Sequence, residues 1–571
     1  MTGIIAYVTG LIRLWTAAAV LPFSAALLAQ PGLRQKIAAI AAEAHGRVAV
    51  ACSLPGSDLD CDLNPHAHPP MQSVFKAPLA LSVLHQVESG RLSLDQTIRF
   101  RASDRILPKT HSQLQDQYPS GEADIPLRRL LELAVSDSDN VAADILLRTA
   151  GGPSAVENYI HSLGIAGFRL ADTEATLHRT PATQYRNWFE PAAAVQFLRL
   201  LYDHSPISNE HTSLLLGWMR ESRNPIRIAA QLPAGTVVMH KAGTSGTANG
   251  LTAATNDIGL ISMPGGRTLA IAVFITDSTA DDAIRDSIIA RIARTVFDAA
   301  VSEAANQFAI GMMKDRHVQA VTVMQDVRTG AMVSFAASDP AHLDVSTQVL
   351  PLSLAKVLLA ASWWDNHQPE SLGNPADNVQ DMVAIGNDSL GRRVVAALRK
   401  AVGSEKVRSD LQRYGFGAPR SSLSDADWSS ALSIGESEMT VSALQVSRFL
   451  QAVGNQGVQC APGSAARPIV EPATSERLIA AMMDTVKRGS ATRIAPILQG
   501  TGWTIGGKTG TGGRAGAPLD QQDGWFAGLV VDPGGKPRYT VATFVRQGGL
   551  GAGNAGEISA HLARFVIGNA R

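Results

Sequence analysis

The hydrophobic and polar positions of this chain pass through the same order of elements twice. In the first pass, residues 46–51 alternate as a strand does, and a turn and a return strand follow. A long stretch of helical character comes next, and strands are predicted again at residues 236–244, 258–262 and 269–275. Apolar residues three and four positions apart then predict a closing helix from about residue 280 to residue 300.

The second pass begins near residue 318 and repeats this order. Its middle is mostly helical, and it ends in a predicted helix over residues 557–567. Its strands are predicted at residues 320–324, 331–335, 503–511, 524–531 and 539–545. Strands at both ends with helices between them predict an antiparallel sheet closed by the N- and C-terminal segments. We therefore expect two α+β domains, each an antiparallel sheet flanked by helices, with an all-helical part.

The length of the chain supports this division. A chain of 571 residues is too long for one ordinary hydrophobic core. We place a signal peptide or anchor at residues 1–30, a first domain at 31–303 and a second domain at 304–571. Residues 300–317 have the pattern of a helix that continues rather than of a flexible linker, so we expect the two domains to pack closely.

The N-terminal residues have the character of an export signal. Arg13 precedes an apolar run that ends in small residues. A signal peptidase could cut after Ala29 or after Gln30. The alternative is an uncleaved anchor, because residues 4–8 extend the apolar region upstream. We expect a periplasmic or secreted bacterial protein, which contacts the inner membrane only if this segment is uncleaved.

The overall charge argues against polyanionic partners. Lysine and arginine total 50, and aspartate and glutamate total 50, so the formal net charge is zero. This balance does not favour nucleic-acid binding or a polybasic membrane surface. Small molecules and neutral polymers are the expected partners. No cluster of histidine, aspartate and cysteine with ligand spacing is evident in the sequence, so neither a metal nor another cofactor is predicted.

Two of the three cysteines are placed for a disulfide. If Gly56 and Ser57 form a two-residue hairpin loop, Cys52 and Cys61 lie directly opposite each other. A cross-strand disulfide would then fit an oxidising compartment. Pro55 counts against this hairpin, because it lacks an N–H group at the closing pair.

A serine and a lysine at helical spacing form the first candidate catalytic pair. Ser73 and Lys76 are three residues apart, so on a helix they lie on one face. A serine hydroxyl becomes an effective nucleophile only when a nearby base removes its proton, and an amine with a lowered pKa can serve as that base. Because this spacing is common by chance, the assignment depends on the motifs that accompany it.

Those motifs follow in a recognised order. Ser138 and Asn140 lie in the segment Ser-Asp-Asn, Glu174 comes next, and Lys241 begins a Lys-x-Gly strand segment. This set resembles that of the class A serine β-lactamases and penicillin-binding proteins. The resemblance covers nearly all of residues 35–300, and it is similar in detail to the PER and VEB subgroup of class A enzymes.

The resemblance implies roles for these residues. Ser73 would be acylated by a β-lactam with the help of Lys76, and Ser138 would pass a proton to the leaving amide nitrogen. Glu174 would activate the water that hydrolyses the acyl-enzyme, and His178 would help to hold that water.

Further positions of the first domain would bind the substrate. Asn140 would contact the amide of the substrate side chain, and Lys241 would attract the substrate carboxylate. The backbone N–H groups of Ser73 and Thr244 would form an oxyanion hole. Two neighbours of Thr244 would complete this edge of the site: Gly243 and Ser245.

One residue departs from the family pattern. Ala242 stands where the family has threonine or serine, so a hydroxyl contact to the substrate carboxylate is missing. One charge-assisted hydrogen bond contributes about 1–3 kcal/mol. We therefore expect an active but weakened enzyme.

The second half repeats the first and last of these motifs. Ser353 and Lys356 have the Ser-x-x-Lys spacing, and an intact Lys-Thr-Gly-Thr segment follows much later. This half resembles the transpeptidase domain of high-molecular-weight penicillin-binding proteins, a fold that class D β-lactamases and penicillin sensors share. Its substrate-binding residues would be those of the Lys-Thr-Gly-Thr segment: Lys508, Thr509, Gly510 and Thr511.

The middle motif of the second half is less clear. Ser389 lies at a suitable distance from Gly403 and is the favoured catalytic candidate, whereas Asn387 supplies the asparagine of a Ser-x-Asn motif without its serine. Since no residue comparable to Glu174 is evident here, slow deacylation is expected.

Three functions follow for the whole chain. The leading one is a serine β-lactamase joined to a penicillin-binding domain, with β-lactam antibiotics as its ligands. The second is a peptidoglycan D,D-transpeptidase or carboxypeptidase that acts on stem peptides. The third is a sensor that β-lactams acylate and that loses the acyl group slowly.

Overall fold

The computed structural model describes residues 32–106, 110–120, 122–177, 179–223, 227–263, 266–419 and 422–568. The signal peptide or anchor predicted at residues 1–30 and the role predicted for His178 lie outside this part of the chain. Among the described residues, no helix is both long and apolar enough to cross a bilayer.

The first half is built from helices around a main sheet, and it also contains small two-stranded sheets. Its helices are α1 (Leu33–Ala41), α2 (Lys76–Glu88), α3 (Gln113–Gln117), α4 (Leu127–Val135), α5 (Asn140–Ala150), α6 (Pro153–Ser162), α7 (Glu174–Leu177), α8 (Pro191–Asp203), α9 (Asn209–Arg220) and α10 (Asp282–Asp315). Its strands are β1 (Arg47–Ser53), β2 (Thr97–Phe100), β3 (Ala123–Pro126), β4 (Phe168–Arg169), β5 (Trp188–Phe189), β6 (Val238–Thr244), β7 (Thr247–Ala248), β8 (Leu251–Ser262) and β9 (Thr268–Ser278). The small sheets are β2-β3 and β4-β5.

The main sheet of this half is antiparallel, with the strand order β1-β9-β8-β6. Almost every residue of β8 and β9 is buried, because helices cover both faces of the sheet. Strand β6, which carries Lys241, lies at the edge of this order next to β8. The sheet therefore presents the lysine strand beside the helical part of the domain.

The second half has its own helices and strands. Its helices are α11 (Ala355–Asp365), α12 (Val379–Ala384), α13 (Asp388–Val402), α14 (Ser404–Arg413), α15 (Asp425–Ser429), α16 (Ala443–Gly454), α17 (Pro472–Lys487) and α18 (Asn554–Gly568). Its strands are β10 (Gln319–Asp326), β11 (Met332–Ala337), β12 (Val458–Gln459), β13 (Arg467–Pro468), β14 (Thr504–Gly512), β15 (Asp523–Val531) and β16 (Pro537–Arg546).

The second sheet repeats the order of the first. It is antiparallel, and its order is β11-β10-β16-β15-β14. In both halves the first strand of the domain pairs with its last strand: β1 with β9, and β10 with β16. The lysine strands, β6 and β14, lie at the far edge, each separated from that last strand by one strand. Strand β11 is an addition at the outer edge. The predicted class of fold, two antiparallel sheets with helices around them, is confirmed.

One helix joins the two halves. Helix α10 has 34 residues and extends for about 51 Å at the usual rise per residue. Its Ile292 and Val296 pack in the core of the first sheet, and its Ala309 and Met313 pack in the core of the second. The predicted continuation of this helix through residues 300–317 is confirmed as far as Asp315. The predicted domain boundary at residues 303 and 304 falls inside it and stays a prediction.

Cys52 and Cys61 form a disulfide, with their Cα atoms 6.1 Å apart. The return strand expected after β1 is reduced to one bridge between Val50 and Leu63. That bridge has the register in which the two cysteines face each other. A short hairpin-like turn with one covalent link therefore replaces the longer hairpin that we expected.

Candidate active sites

Ser73 lies at the start of the helical part of the first half. It belongs to a single 3₁₀ turn, Gln72–Phe75, which leads directly into α2. Gln72 has a φ of 50°, a conformation that is uncommon for a residue other than glycine. Because Lys76 is the first residue of α2, its side chain lies one turn beyond Ser73.

Lys76 is fully buried and has several oxygen partners. Its Nζ donates to the backbone oxygen of Ser138 at 2.7 Å and to Oδ1 of Asn140 at 2.6 Å. It lies 3.0 Å from Oε1 of Glu174. Three of the four predicted motifs of the first half therefore meet at one amine.

Glu174 is the carboxylate of this site. It is buried at the start of α7, and its Oε1 accepts from the hydroxyl of Ser73 at 3.5 Å. Asp144 on α5 holds the start of this short helix by accepting from the backbone N–H groups of Glu174 at 2.7 Å and Ala175 at 2.9 Å. Burial, and then the nearby charge of Glu174, raise the pKa of Asp144 to about 6.

Ser138 has a left-handed backbone, with a φ of 57°. The next residue, Asp139, caps α5 by accepting from the N–H of Ala142 at 2.8 Å. It also accepts from the N–H of Leu114 at 2.8 Å. This capped turn directs the Ser138 hydroxyl to Lys241, whose Nζ donates to it at 2.9 Å.

Lys241 is fully buried on β6. Burial and the nearby charge of Lys76 lower its pKa well below the usual value for lysine. Gly243, two residues on, allows β6 to lie against the turn that carries the nucleophile. A Cβ on this glycine would come within 2.5 Å of the backbone oxygen of Met71.

Arg227 is a site residue that the sequence analysis did not identify. It is buried, and its Nη2 donates to the Thr244 hydroxyl at 2.9 Å. Thr244 and Ala242 lie on the same face of β6, because alternate strand residues share a face. Arg227, which also pairs with Oδ1 of Asp286 at 2.6 Å, therefore brings a guanidinium group to the strand face that carries Ala242. An isolated arginine without a motif gave no signal in the sequence.

Ser245 is less available than the other predicted binding residues. Its hydroxyl accepts from the backbone N–H of Ala254 at 2.9 Å, and its own N–H donates to the oxygen of the same residue at 2.9 Å. These bonds fasten the end of β6 to β8.

The second half places Ser353 in the same local geometry as Ser73. Ser353 lies in a single 3₁₀ turn, Leu352–Leu354, directly before α11. Leu352 precedes it with a φ of 52°, as Gln72 precedes Ser73. Lys356 is fully buried, and its Nζ donates to the Ser353 hydroxyl at 3.0 Å.

The lysine strand of the second half approaches the nucleophile in the same way. Lys508 is buried on β14, and burial together with the charge of Lys356 lowers its pKa to about 7. A Cβ on Gly510 would lie 3.1 Å from the Cβ of Leu352, so any larger residue would push the strand and the nucleophile turn apart by a few tenths of an ångström. Thr509 shares a hydrogen bond of 2.6 Å with the hydroxyl of Ser490. Thr511 accepts from the N–H of Gly551 at 2.9 Å.

The middle motif of the second half lies three residues before the favoured candidate, Ser389. Gly386 has a φ of 77°, and a Cβ built on it would lie 3.4 Å from Nζ of Lys508. Asn387 caps α13 by accepting from the N–H of Leu390 at 2.9 Å. Ser389 is exposed in the first turn of this helix. The geometry therefore favours Gly386 over Ser389 for the position that faces Lys508.

Asp388 completes this motif. Its Oδ1 accepts from Nζ of Lys356 at 2.6 Å, although a little over half of its side chain is exposed. Asn140 of the first half accepts from Lys76 at the same distance, and each of the two residues is the first of its helix. Gly386, Asn387 and Asp388 therefore match the Ser-Asp-Asn segment of the first half residue by residue.

Comparison with known proteins agrees with this geometry. The sequence profile described as the beta-lactamase enzyme family matches residues 32–300. The extended-spectrum beta-lactamase PER-1 of Pseudomonas aeruginosa is 40% identical over 268 residues, 47% of this chain and 87% of that protein. The chain belongs to the β-lactamase enzyme family.

Two further β-lactamases match the same half. Beta-lactamase VEB-1 of Pseudomonas aeruginosa is 34% identical over 269 residues, which are 47% of this chain and 89% of that protein. The crystal structure of a beta-lactamase from Chitinophaga pinensis has 43% sequence identity, covers 47% of this chain and 99% of that one, and gives a TM-score of 0.44. The PER and VEB resemblance of the β-lactamase half is confirmed, and the chain is a β-lactamase enzyme.

The second half adds a different domain to this β-lactamase. The sequence profile described as the penicillin binding protein transpeptidase domain matches residues 392–567. That stretch contains Lys508 but begins after Asp388. The nucleophile turn at Ser353 and the segment at Gly386 therefore lie outside the matched residues, and only their geometry connects them with the lysine strand.

Proposed function

We propose that the first half hydrolyses β-lactams through an acyl-enzyme on Ser73. The observation that carries this proposal is the position of the Glu174 carboxylate, 3.5 Å from the Ser73 hydroxyl and 3.0 Å from Nζ of Lys76. A buried carboxylate that contacts both nucleophile and amine can receive a proton during acylation and can later activate water.

Acylation requires the hydroxyl proton to reach the leaving nitrogen. Ser73 Oγ bonds to the β-lactam carbonyl carbon, the carbon–nitrogen bond breaks, and the nitrogen takes up a proton. Ser138 Oγ lies 2.9 Å from Nζ of Lys241 and 3.5 Å from Nζ of Lys76, so its hydroxyl is placed to deliver that proton. The backbone N–H groups of Ser73 and Thr244 would stabilise the oxyanion.

Substrate binding would use the edge of β6. Nζ of Lys241 and the guanidinium of Arg227, which also pairs with Asp286, place N–H donors near this edge, and both favour a ligand that carries a carboxylate. Asn140 would hold the amide of the substrate side chain. The predicted contribution of Ser245 is structural, because its hydroxyl is already bonded to the backbone of β8.

The second half would bind ligands of the same chemical class. Its match to the transpeptidase domain supports β-lactams and peptidoglycan stem peptides as ligands, with Ser353 as the candidate nucleophile. Both ligands contain an amide next to a carboxylate, which the buried Lys508 can attract.

We also propose that the protein is exported to the periplasm or secreted. The apolar residues after Arg13 and the Cys52–Cys61 disulfide both support an oxidising compartment. Whether the N-terminal segment is cut decides between a soluble and an anchored form, and N-terminal sequencing of the exported protein distinguishes them.

The central test compares the two nucleophiles. Nitrocefin turnover is measured for the full chain and for the Ser73→Ala and Ser353→Ala variants. We expect Ser73→Ala to abolish turnover. If turnover is lost with Ser353→Ala instead and persists with Ser73→Ala, hydrolysis belongs to the second half and the proposal is wrong.

A further inference from the structure

The two halves differ at the hydroxyl between their lysines. In the first half, Ser138 Oγ accepts from Nζ of Lys241 at 2.9 Å. In the second half, Gly386 occupies this place and has no side chain, and a Cβ built on it would lie 3.4 Å from Nζ of Lys508. The hydroxyl that can deliver a proton in the first half has no counterpart at this position.

The surrounding geometry shows that these positions correspond. Ser138 and Gly386 both have left-handed backbones, with φ of 57° and 77°. Each directly precedes the residue that caps its helix. The residue after each cap accepts from the buried lysine of the nucleophile turn at 2.6 Å in both halves. The two sites therefore share the same local backbone geometry, and they differ in that Gly386 lacks the side chain of Ser138.

The remaining parts for binding are present in the second half. Lys508 is buried on its strand, Ser353 is 3.0 Å from Nζ of Lys356, and Thr509 restores the hydroxyl that Ala242 lacks in the first half. A ligand with an amide next to a carboxylate therefore finds the charge and the nucleophile, but no hydroxyl at residue 386.

We propose that the second half is a ligand-holding site in which acylation of Ser353 is slow, because Gly386 removes the hydroxyl that would protonate the leaving nitrogen. In acylation, Ser353 Oγ bonds to the carbonyl carbon, its proton passes to Lys356, and the carbon–nitrogen bond breaks as the nitrogen takes up a proton. Without a hydroxyl at residue 386 to relay a proton from Lys356 to the nitrogen, this protonation is slow and the nitrogen remains a poor leaving group. This inference rests on the ligand class proposed for the second half.

Restoring the hydroxyl tests the proposal. In the full chain with Ser73→Ala, the first nucleophile is silent, and benzylpenicillin adducts at Ser353 are followed by intact mass and peptide mapping. We expect Gly386→Ser to accelerate adduct formation by on the order of 100-fold, the usual contribution of a positioned proton donor. A serine tolerates the left-handed backbone here, as Ser138 does in the first half.

Two variants control this experiment. Gly386→Ala adds a Cβ with the same backbone strain but no hydroxyl, and we expect no acceleration. Adding Ser353→Ala to the Gly386→Ser protein should abolish the adduct. Equal acceleration by alanine and serine would overturn the proposal, and so would an unchanged rate in a Gly386→Ser protein whose thermal unfolding matches that of its parent.

A measurement without any change at Gly386 gives an independent test. Benzylpenicillin labelling of Ser353 in the Ser73→Ala protein is compared with labelling of Ser73 during the first turnover of a Ser353→Ala protein that keeps Glu174, with both reactions followed by rapid quenching and intact mass. We expect Ser353 to be slower by at least tenfold. Comparable rates would overturn the slow-acylation inference but not the ligand class.

A binding measurement tests the proposed ligand class separately from the rate of acylation. Calorimetric titration of the Ser73→Ala protein, with and without Lys508→Met, is carried out with benzylpenicillin and with an N-acyl-D-Ala-D-Ala peptide. A component of binding that Lys508→Met removes, for either probe, supports a holding site and identifies which ligand it accepts. If Lys508→Met changes the binding of neither probe, the second half does not take this ligand class.

Discussion

Glu174 Oε1 lies 3.0 Å from Nζ of Lys76, and both side chains are buried. A buried amine and carboxylate at this distance form one proton-exchanging unit, and its contact with the Ser73 hydroxyl places that unit at the reacting atom. The helix start at α7, which Asp144 anchors, decides where the carboxylate lies.

Replacing Glu174 with glutamine should trap the acyl-enzyme. The amide keeps the shape of the side chain but accepts a proton poorly, so hydrolysis of the ester should slow by on the order of 1,000-fold. Intact mass spectrometry after mixing with benzylpenicillin should show a lasting adduct at Ser73. Glu210→Gln, at an exposed position on α9, is the matched control and should leave turnover unchanged. Normal turnover by Glu174→Gln would rule out this role.

Asp144→Asn should slow turnover by about tenfold through loss of positioning. Both carboxylate oxygens of Asp144 accept backbone N–H groups, and asparagine offers only one acceptor oxygen. Since the pKa of Asp144 is raised to about 6, its charge is present above pH 6 and is lost as the pH falls through that value. In a kcat profile from pH 5 to pH 8, the acid limb of the wild type should contain this titration, and the variant should lack it. Identical acid limbs would contradict this account.

Ala242→Thr should raise kcat/KM for nitrocefin by about tenfold, which corresponds to about 1.4 kcal/mol, the value of one hydrogen bond to a charged group. Ala242 is buried on the face of β6 that also carries Thr244, beside Arg227. Ala242→Val is the matched control, because valine has the shape of threonine without its hydroxyl. An equal gain from valine would attribute the effect to packing, and no gain from threonine would show that the missing hydroxyl does not limit the enzyme.

Binding of carboxylate ligands to the second half should weaken as the pH rises through about 7. The pKa of Lys508 is lowered to about 7, so its positive charge is present below that pH and is lost above it. Dissociation constants are measured calorimetrically at pH 6, 7 and 8 for a Ser73→Ala, Ser353→Ala protein, with and without Lys508→Arg. Arginine stays charged throughout this range, so its profile should be flatter. Parallel profiles would contradict the prediction, since the contribution of the first half is common to both proteins.

The motifs of the first half could be predicted because they are local. Ser73 and Lys76 are one turn apart, and Ser138 and Asn140 surround a helix cap, so short spacings already determine their relative positions. Long-range contacts gave no comparable signal. Arg227 reaches Thr244 only because the chain returns between α9 and β6, and no motif surrounds it in the sequence.

The second half shows more clearly where prediction from the sequence fails. Counting residues toward Gly403 favoured Ser389, but the start of α13 at Asp388 turns that serine outward. The residues that face Lys356 and Lys508 depend on where helix α13 begins and in which direction it runs. Residue counts do not contain that information. The sequence by itself determined the two repeated α+β halves, their candidate nucleophiles and their lysine strands, because periodicity and short spacings are local properties. Only the tertiary structure decided that Gly386 and Asp388 face Lys508 and Lys356, because that choice depends on how separate elements pack.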